Sequence, residues 1–86
     1  MRAFYKRDGE SEAGEEGIVY LEVTDGWPTR QVEIYGEKWR WGDESHNQYL
    51  ADQAAEYLDL SDEFAISQHE FELAWTEARK RWRRPL

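Results

Sequence analysis

Thr29-Arg30-Gln31-Val32-Glu33-Ile34-Tyr35-Gly36-Glu37-Lys38-Trp39-Arg40-Trp41 is the stretch whose reading sets the fold. Apolar and polar side chains alternate on both sides of Gly36-Glu37, the period of half-buried strands. A Gly-first pair suits a two-residue type II′ hairpin loop. With that loop closed, Tyr35 opposes Lys38, Ile34 opposes Trp39, Glu33 opposes Arg40 and Val32 opposes Trp41. One face then carries Val32, Ile34, Trp39 and Trp41. The other sets Glu33 across from Arg40, an opposite-charge pair worth about 0.2–1 kcal/mol. A one-residue slip breaks both patterns together.

Upstream, Ile18 to Thr24 alternates again, with Val19, Leu21 and Val23 pointing one way and Tyr20, Glu22 and Thr24 the other. Asp25-Gly26-Trp27-Pro28 reads as the turn joining this strand to the next. Closed from Asp25 to Pro28, it places Leu21 opposite Val32 and Val19 opposite Ile34, so all three strands share one apolar face. Residues 8–17 hold three Gly, five acids and no large apolar side chain. That composition predicts a mobile acidic loop. Phe4 and Tyr5 before it fit a short first strand.

Downstream, Gly42-Asp43-Glu44 ends the sheet. Ser45 and Gln48 form a weak capping box, and Leu50, Ala51, Ala54, Ala55 and Leu58 recur at helical spacing. The spacing predicts a helix over about 46–58. Asp59 to Glu63 is a polar link, with Phe64 and Ile66 as anchors to the core. Ser67-Gln68-His69-Glu70 is a cleaner capping box. Behind it Phe71, Trp75, Ala78 and Trp82 step by four, three and four along one helical face. Arg79, Lys80, Arg81, Arg83 and Arg84 complement the C-terminal end of the helix dipole, and Pro85 stops the helix. The expectation is an α+β domain: an antiparallel meander of three to four strands packed on one face by two helices, the C-terminal one over 68–83.

At 86 residues the chain has room for one domain with one modest core. It has no cysteine, which excludes disulfides and thiolate metal sites. No apolar run resembles a signal peptide or a membrane span, so a cytoplasmic location without membrane contact is expected. All 19 acidic residues precede Arg79, whereas five of the 11 basic residues fall at or after it. The body is therefore strongly acidic, which disfavours nucleic acid and favours a basic protein surface.

No motif carries catalysis. The two histidines are 23 positions apart and outside any H-x-x-x-H pattern, and His46 beside Asp43 and Glu44 reads as a loop entering a helix. Ser45 and Ser67 read as helix caps rather than nucleophiles, and no phosphate-cradling glycine loop is present. Neither an enzyme nor a cofactor is expected. The candidate partner-binding residues are Trp27 in its turn, Tyr20, Glu22, Glu33 and Tyr35 on the outward sheet face, and Glu10, Glu12, Glu15 and Glu16 in the acidic loop. Exposed Trp and Tyr on a rigid hairpin suit a binding hot spot. The alternative site is Arg79, Lys80, Arg81, Arg83 and Arg84, a basic run around Trp82 suited to nucleic acid or an anionic surface. A third reading is a subunit whose aromatics complete a partner's core.

Two stretches carry a resemblance. Tyr20-x-Glu22 followed by Arg30-x-Val32-Glu33-Ile34-Tyr35, then Ile66-Ser67-x-x-Glu70-Phe71-Glu72-x-x-Trp75, resembles a family of small uncharacterised bacterial proteins. Those share a Y-x-E…R-K-V-E-[IV]-[FY] hairpin and a final I-S-x-x-E-F-E-x-x-W helix. Residues 8–17, Trp39-x-Trp41 and the basic tail depart from the pattern. In size and acidity the chain is similar to immunity proteins of toxin systems and to phage-encoded defence inhibitors. The resemblance implies an inhibitor-type protein binder that docks on a basic surface of a toxin, nuclease or nucleic-acid-handling partner.

Overall fold

The structure, a computed structural model, describes residues 1–82. Four antiparallel strands, β1 (Arg2–Glu10), β2 (Glu16–Thr24), β3 (Trp27–Tyr35) and β4 (Lys38–Asp43), follow one another in a single sheet. An irregular segment with three single-turn 3-10 helices (Asn47–Tyr49, Ala55–Tyr57 and Asp62–Phe64) then leads to one α-helix, α1 (Gln68–Arg81). The class is α+β, with a four-stranded meander.

The β3–β4 hairpin closes in the expected register, Tyr35 on Lys38, Ile34 on Trp39, Glu33 on Arg40 and Val32 on Trp41. Gly36, at φ 63°, supplies the left-handed position that the two-residue loop requires.

The β2–β3 pairing departs from expectation. Asp25 (φ 52°) and Gly26 (φ 86°) are both left-handed, so the loop is a tight type I′ pair with Thr24 opposite Trp27. Val23 next pairs with Pro28, but Glu22 pairs with Arg30, which leaves Thr29 as an extra residue in β3. Pro28 has no N–H to give to the ladder, and a bulge is where a strand tolerates it. Beyond the bulge, Tyr20 lies across from Val32, Leu21 from Gln31 and Val19 from Glu33. Val19, Leu21 and Val23 therefore line the face opposite to the one expected.

Residues 8–17, read from composition as a loop, form the end of the β1–β2 hairpin. Asp8 pairs with Ile18, Gly9 with Gly17 and Glu10 with Glu16. Ser11 organises the turn, its hydroxyl accepting from the amides of Ala13 (3.2 Å) and Glu15 (3.0 Å). A Cβ at Gly17 would stand 2.1 Å from the Ile34 carbonyl oxygen, so a close backbone approach requires this glycine.

One sheet face packs on α1. Phe4 meets Phe71 at 5.3 Å between ring centroids, and Trp41 meets Trp75 edge-on at 5.4 Å. Val32, Phe71 and Ala78 have no exposed surface, and Tyr20, Ile34 and Trp39 pack around Val32 and Trp41. The Ser67 hydroxyl caps α1 by accepting from the Glu70 amide at 3.1 Å, as expected. The helix ends at Arg81, and the Trp41 indole donates to the Trp82 carbonyl at 2.7 Å. The expected extension to 83 and the stop at Pro85 lie outside the described residues.

The expected helix over 46–58 does not form: the sheet takes the Ala51 and Ala55 amides that such a helix would use internally, and Asp43 closes the start of the segment into a turn. The Asp43 carboxylate accepts from the amides of Ser45 (3.0 Å) and His46 (2.8 Å). The Gln31 side-chain carbonyl accepts from Ala51 (2.9 Å), and the Gly26 carbonyl from Ala55 (2.8 Å). This segment crosses the face opposite α1. Gly42 admits it, since a Cβ there would come within 2.9 Å of the Tyr49 backbone. The sheet is thus covered by one helix on one face and an irregular layer on the other, in place of two helices on a single face.

Phe71→Ala removes a fully buried ring and is expected to cost about 3–5 kcal/mol. Leu73→Ala, on the 60% exposed side of the same helix, is expected to stay within about 0.5 kcal/mol. Urea denaturation of the two variants checks both, and equal losses would misplace the buried face of α1.

Candidate functional site

The bulge brings a set of charges together beneath α1. Arg30 donates through Nε (3.0 Å) and Nη2 (2.6 Å) to the two oxygens of Glu22, and through Nη1 (3.0 Å) and Nη2 (2.6 Å) to those of Glu72. The Thr29 hydroxyl adds a 2.7 Å bond to Glu22. The guanidinium carbon lies 4.9 Å from the Phe71 ring centre and 5.1 Å from that of Trp75. Burial pushes the Glu22 carboxyl up, but the bonds from Arg30 and Thr29 and the charges of Arg30 and Arg2 outweigh it and hold it below the usual range. Its bonds to Arg30 hold Glu72 low as well, against a smaller opposing effect of burial. This cluster ties helix to sheet and is part of the core.

Tyr20 and Glu22 were expected on an exposed outer face. They instead lie on the α1 side, Tyr20 half-buried under the Lys6 ammonium and Glu22 buried, because Thr29 inverts the facing of β2 against β3. Glu33 and Tyr35 do lie on the face away from α1, yet both are buried there. Glu33 accepts from Gln31 Nε2 (2.8 Å), the Tyr35 hydroxyl (3.1 Å) and Arg40 Nη2 (2.6 Å). Arg40 also reaches Glu12 with two bonds (3.2 and 3.1 Å), and sits 5.2 Å from the Tyr35 ring and 4.1 Å from the Tyr49 ring. Burial and then the Glu33 charge raise the Tyr35 phenol above its ordinary value, so it remains a hydroxyl donor at neutral pH.

Beside this second cluster a groove of about 320 Å³ opens between the β1–β2 hairpin and the irregular layer. Val19, Leu21, Ala51, Leu58 and Leu60 form its apolar lining, and Gln31, Glu33 and Tyr35 also face it. Arg7 braces the far wall by donating to the carbonyls of Leu58 (2.9 Å) and Asp59 (3.0 Å). Asp8, Gly9 and Glu10 form its β1 side, and the exposed side chains of Asp8 and Glu10 leave the strand toward the opposite face. Shallower depressions continue it toward Glu16 and Gly17 at one end, and toward Glu12, Gln48 and Tyr49 at the other. Of the expected acidic set, Glu10 is among the groove's lining residues, Glu16 and Glu12 lie at the adjoining depressions, and Glu15 pairs with Lys38 at 3.3 Å.

The remaining expected residues are dispersed. Trp27 is 55% exposed at the opposite end of β3 from Tyr35, so Trp27, Tyr20, Glu22, Glu33 and Tyr35 do not form one patch. Arg79 lies 4.5 Å from the Trp41 ring centre and 5.6 Å from Trp75. Arg81 lies 4.9 Å from Trp39 and bonds Glu77 at 2.7 Å. Lys80 is exposed, and Arg83 and Arg84 lie outside the described residues. His46 sits in the Asp43 turn, its Nδ1 3.3 Å from Asp43. Among the described residues no group of three or more His, Cys, Asp or Glu is placed to hold a metal ion, and no helix is long and apolar enough to cross a membrane.

The sequence reading missed Val19, Leu21, Leu58 and Leu60 as groove walls, and Arg7 and Gln31 as its polar supports. The signal for the first pair was present: Asp25-Gly26 is a strong type I′ pair, and Pro28 inside a strand marks a bulge. No family model, no curated protein and no solved structure matches the chain.

The pH dependence of stability follows from the Arg30 cluster. Glu22 and Glu72 bind protons less tightly folded than unfolded, so their contribution is complete above the ordinary carboxyl value of 4.5 and is lost as pH falls through their lower folded values. Arg30→Met leaves Glu22 buried without its partner and is expected to cost about 3–5 kcal/mol at neutral pH. Its acid-side decline in stability is expected to be shallower than that of the parent. Denaturant titrations between about pH 3 and pH 7 check this, and parallel curves for the two proteins would count against the assignment.

Proposed function

We propose that the protein is a non-catalytic acidic binding domain that docks its groove-bearing face on a basic surface of another protein and blocks that surface. The partner class we propose is a toxin, a nuclease or another nucleic-acid-handling protein, whose phosphate-binding surface presents Lys and Arg. One observation carries the reading: the exposed acids Asp8, Glu10, Glu12 and Glu16 gather at the end of the β1–β2 hairpin, whose backbone forms one side of a groove with apolar walls. Acidic groups so placed steer a basic partner in and set salt dependence, while the apolar walls supply area to bury. The buried acids Glu22 and Glu33 pair with Arg30 and Arg40, each of which a second carboxylate, Glu72 or Glu12, also shares. The contacts of Arg79 and Arg81 with Trp rings of their own domain favour an internal role for the basic helix end over nucleic-acid binding.

The test is a pull-down from nuclease-treated native-host lysate at about 0.1 M and about 0.5 M salt. The bait is the parent protein or Asp8→Lys/Glu10→Lys/Glu16→Lys, with thermal denaturation confirming that the variant folds. A protein held by the parent, released by salt and lost by the variant is the expected result. Equal capture by the charge-reversed variant would overturn the reading.

A further inference from the structure

Resting on that reading, we infer that the groove is a socket for one lysine side chain of the partner, its methylene stem against Val19, Leu21, Leu58 and Leu60 and its ammonium at Glu33. The shape and the lining fit this occupant. A long basic side chain is apolar along its stem and charged at its tip, and it packs where apolar walls lead to a carboxylate. The walls here are aliphatic, and the polar groups Gln31, Glu33 and Tyr35 face the same space. At about 320 Å³ the groove falls at the small end of ligand-sized sites, which suits one side chain rather than a helix or a strand.

The hydrogen-bond state of Glu33 selects lysine over arginine. A carboxylate offers about four acceptor positions. Among the described residues three donors reach Glu33, namely Gln31, Tyr35 and Arg40. One position is left for a newcomer. A guanidinium binds a carboxylate best as a two-pronged fork, which needs two positions, whereas an ammonium is a compact point charge satisfied by one here and others from the Tyr35 oxygen or water. Gln31 is held in place from behind by the Ala51 amide, so the floor is set before any partner arrives.

The experiment uses the isolated protein and blocked tripeptides, so it does not depend on the partner of the preceding section. Acetyl-Gly-Lys-Gly-amide, the Arg analogue and a norleucine analogue are titrated while amide resonances are followed by NMR. The expected result is saturable shifts at Val19, Leu21, Gln31, Glu33 and Leu58 with the Lys peptide, with Kd on the order of 1 mM. The Arg peptide binds more weakly, and the norleucine peptide gives no shift at Glu33. Glu33→Gln is expected to weaken the Lys peptide by roughly tenfold. Leu60→Trp, whose preserved spectrum reports its fold, is expected to abolish the shifts by filling the socket. Shifts confined to Asp8, Glu10 and Glu16, equal response to norleucine, or an undiminished response in Leu60→Trp would overturn the inference. Any of these, alongside salt-sensitive partner capture lost on charge reversal, would leave the docking reading standing and remove only the socket.

Discussion

The layout of charge in this molecule depends on one extra residue in a strand. Side chains alternate along a strand, so inserting Thr29 between the Asp25-Gly26 turn and the rest of β3 reverses the facing of β2 and β3 relative to that turn. Thr29 and Arg30, although adjacent, both reach the Glu22 carboxylate, which a regular strand does not allow. From that convergence follow the bidentate bridge to Glu72, the seat of Arg30 against Phe71 and Trp75, and the docking of α1 on this face. It also sends Val19 and Leu21 to the far side, where they wall the groove.

Each face of the sheet is closed by an arginine in a similar setting. Arg30 on the α1 side is flanked by Glu22 and Glu72 and by two aromatic rings. Arg40 on the other side is flanked by Glu33 and Glu12 and by Tyr35 and Tyr49. A chain with net charge −8 cannot bury carboxylates without compensation, because a desolvated unpaired charge costs more than a small core supplies. The planar fork of arginine binds carboxylates and stacks on rings together, and lysine does not replace it at either position. Glu22, Arg30, Glu33, Tyr35, Phe71, Glu72 and Trp75 are members or neighbours of these two clusters, which join sheet, helix and outer layer.

The sequence made the β3–β4 hairpin and α1 legible because both are specified locally. Gly36 fixes the loop, alternation fixes the register, and Ser67 with Glu70 marks the start of the helix. The β2–β3 facing was lost because the reading of Asp25 to Pro28 as the turn left no place for the extra residue, Thr29, that follows Asp25-Gly26. The helical spacing of Leu50, Ala51, Ala54, Ala55 and Leu58 was real. It was overridden by the Gln31 side chain and the Gly26 carbonyl, which claim the amides of Ala51 and Ala55. Residues 8–17 lack large apolar groups because they extend a hairpin through close backbone contact at Gly17, not because they avoid the fold. Of the candidate site, the acidic segment could be read from composition, whereas the groove depends on contacts more than 30 positions apart.

The irregular layer over the outer face makes its own backbone hydrogen bonds within single turns and is tied to the sheet by side chains and carbonyls, among them Asp43, Gln31 and Gly26. The helix and this layer are thereby held by opposite sides of one wall. A core built from β-strands and α1 tolerates rewriting of residues 46–63, since that stretch contributes no fully buried side chain among those described. Such a layer can diversify while the scaffold stays fixed, as surface loops do on a rigid frame.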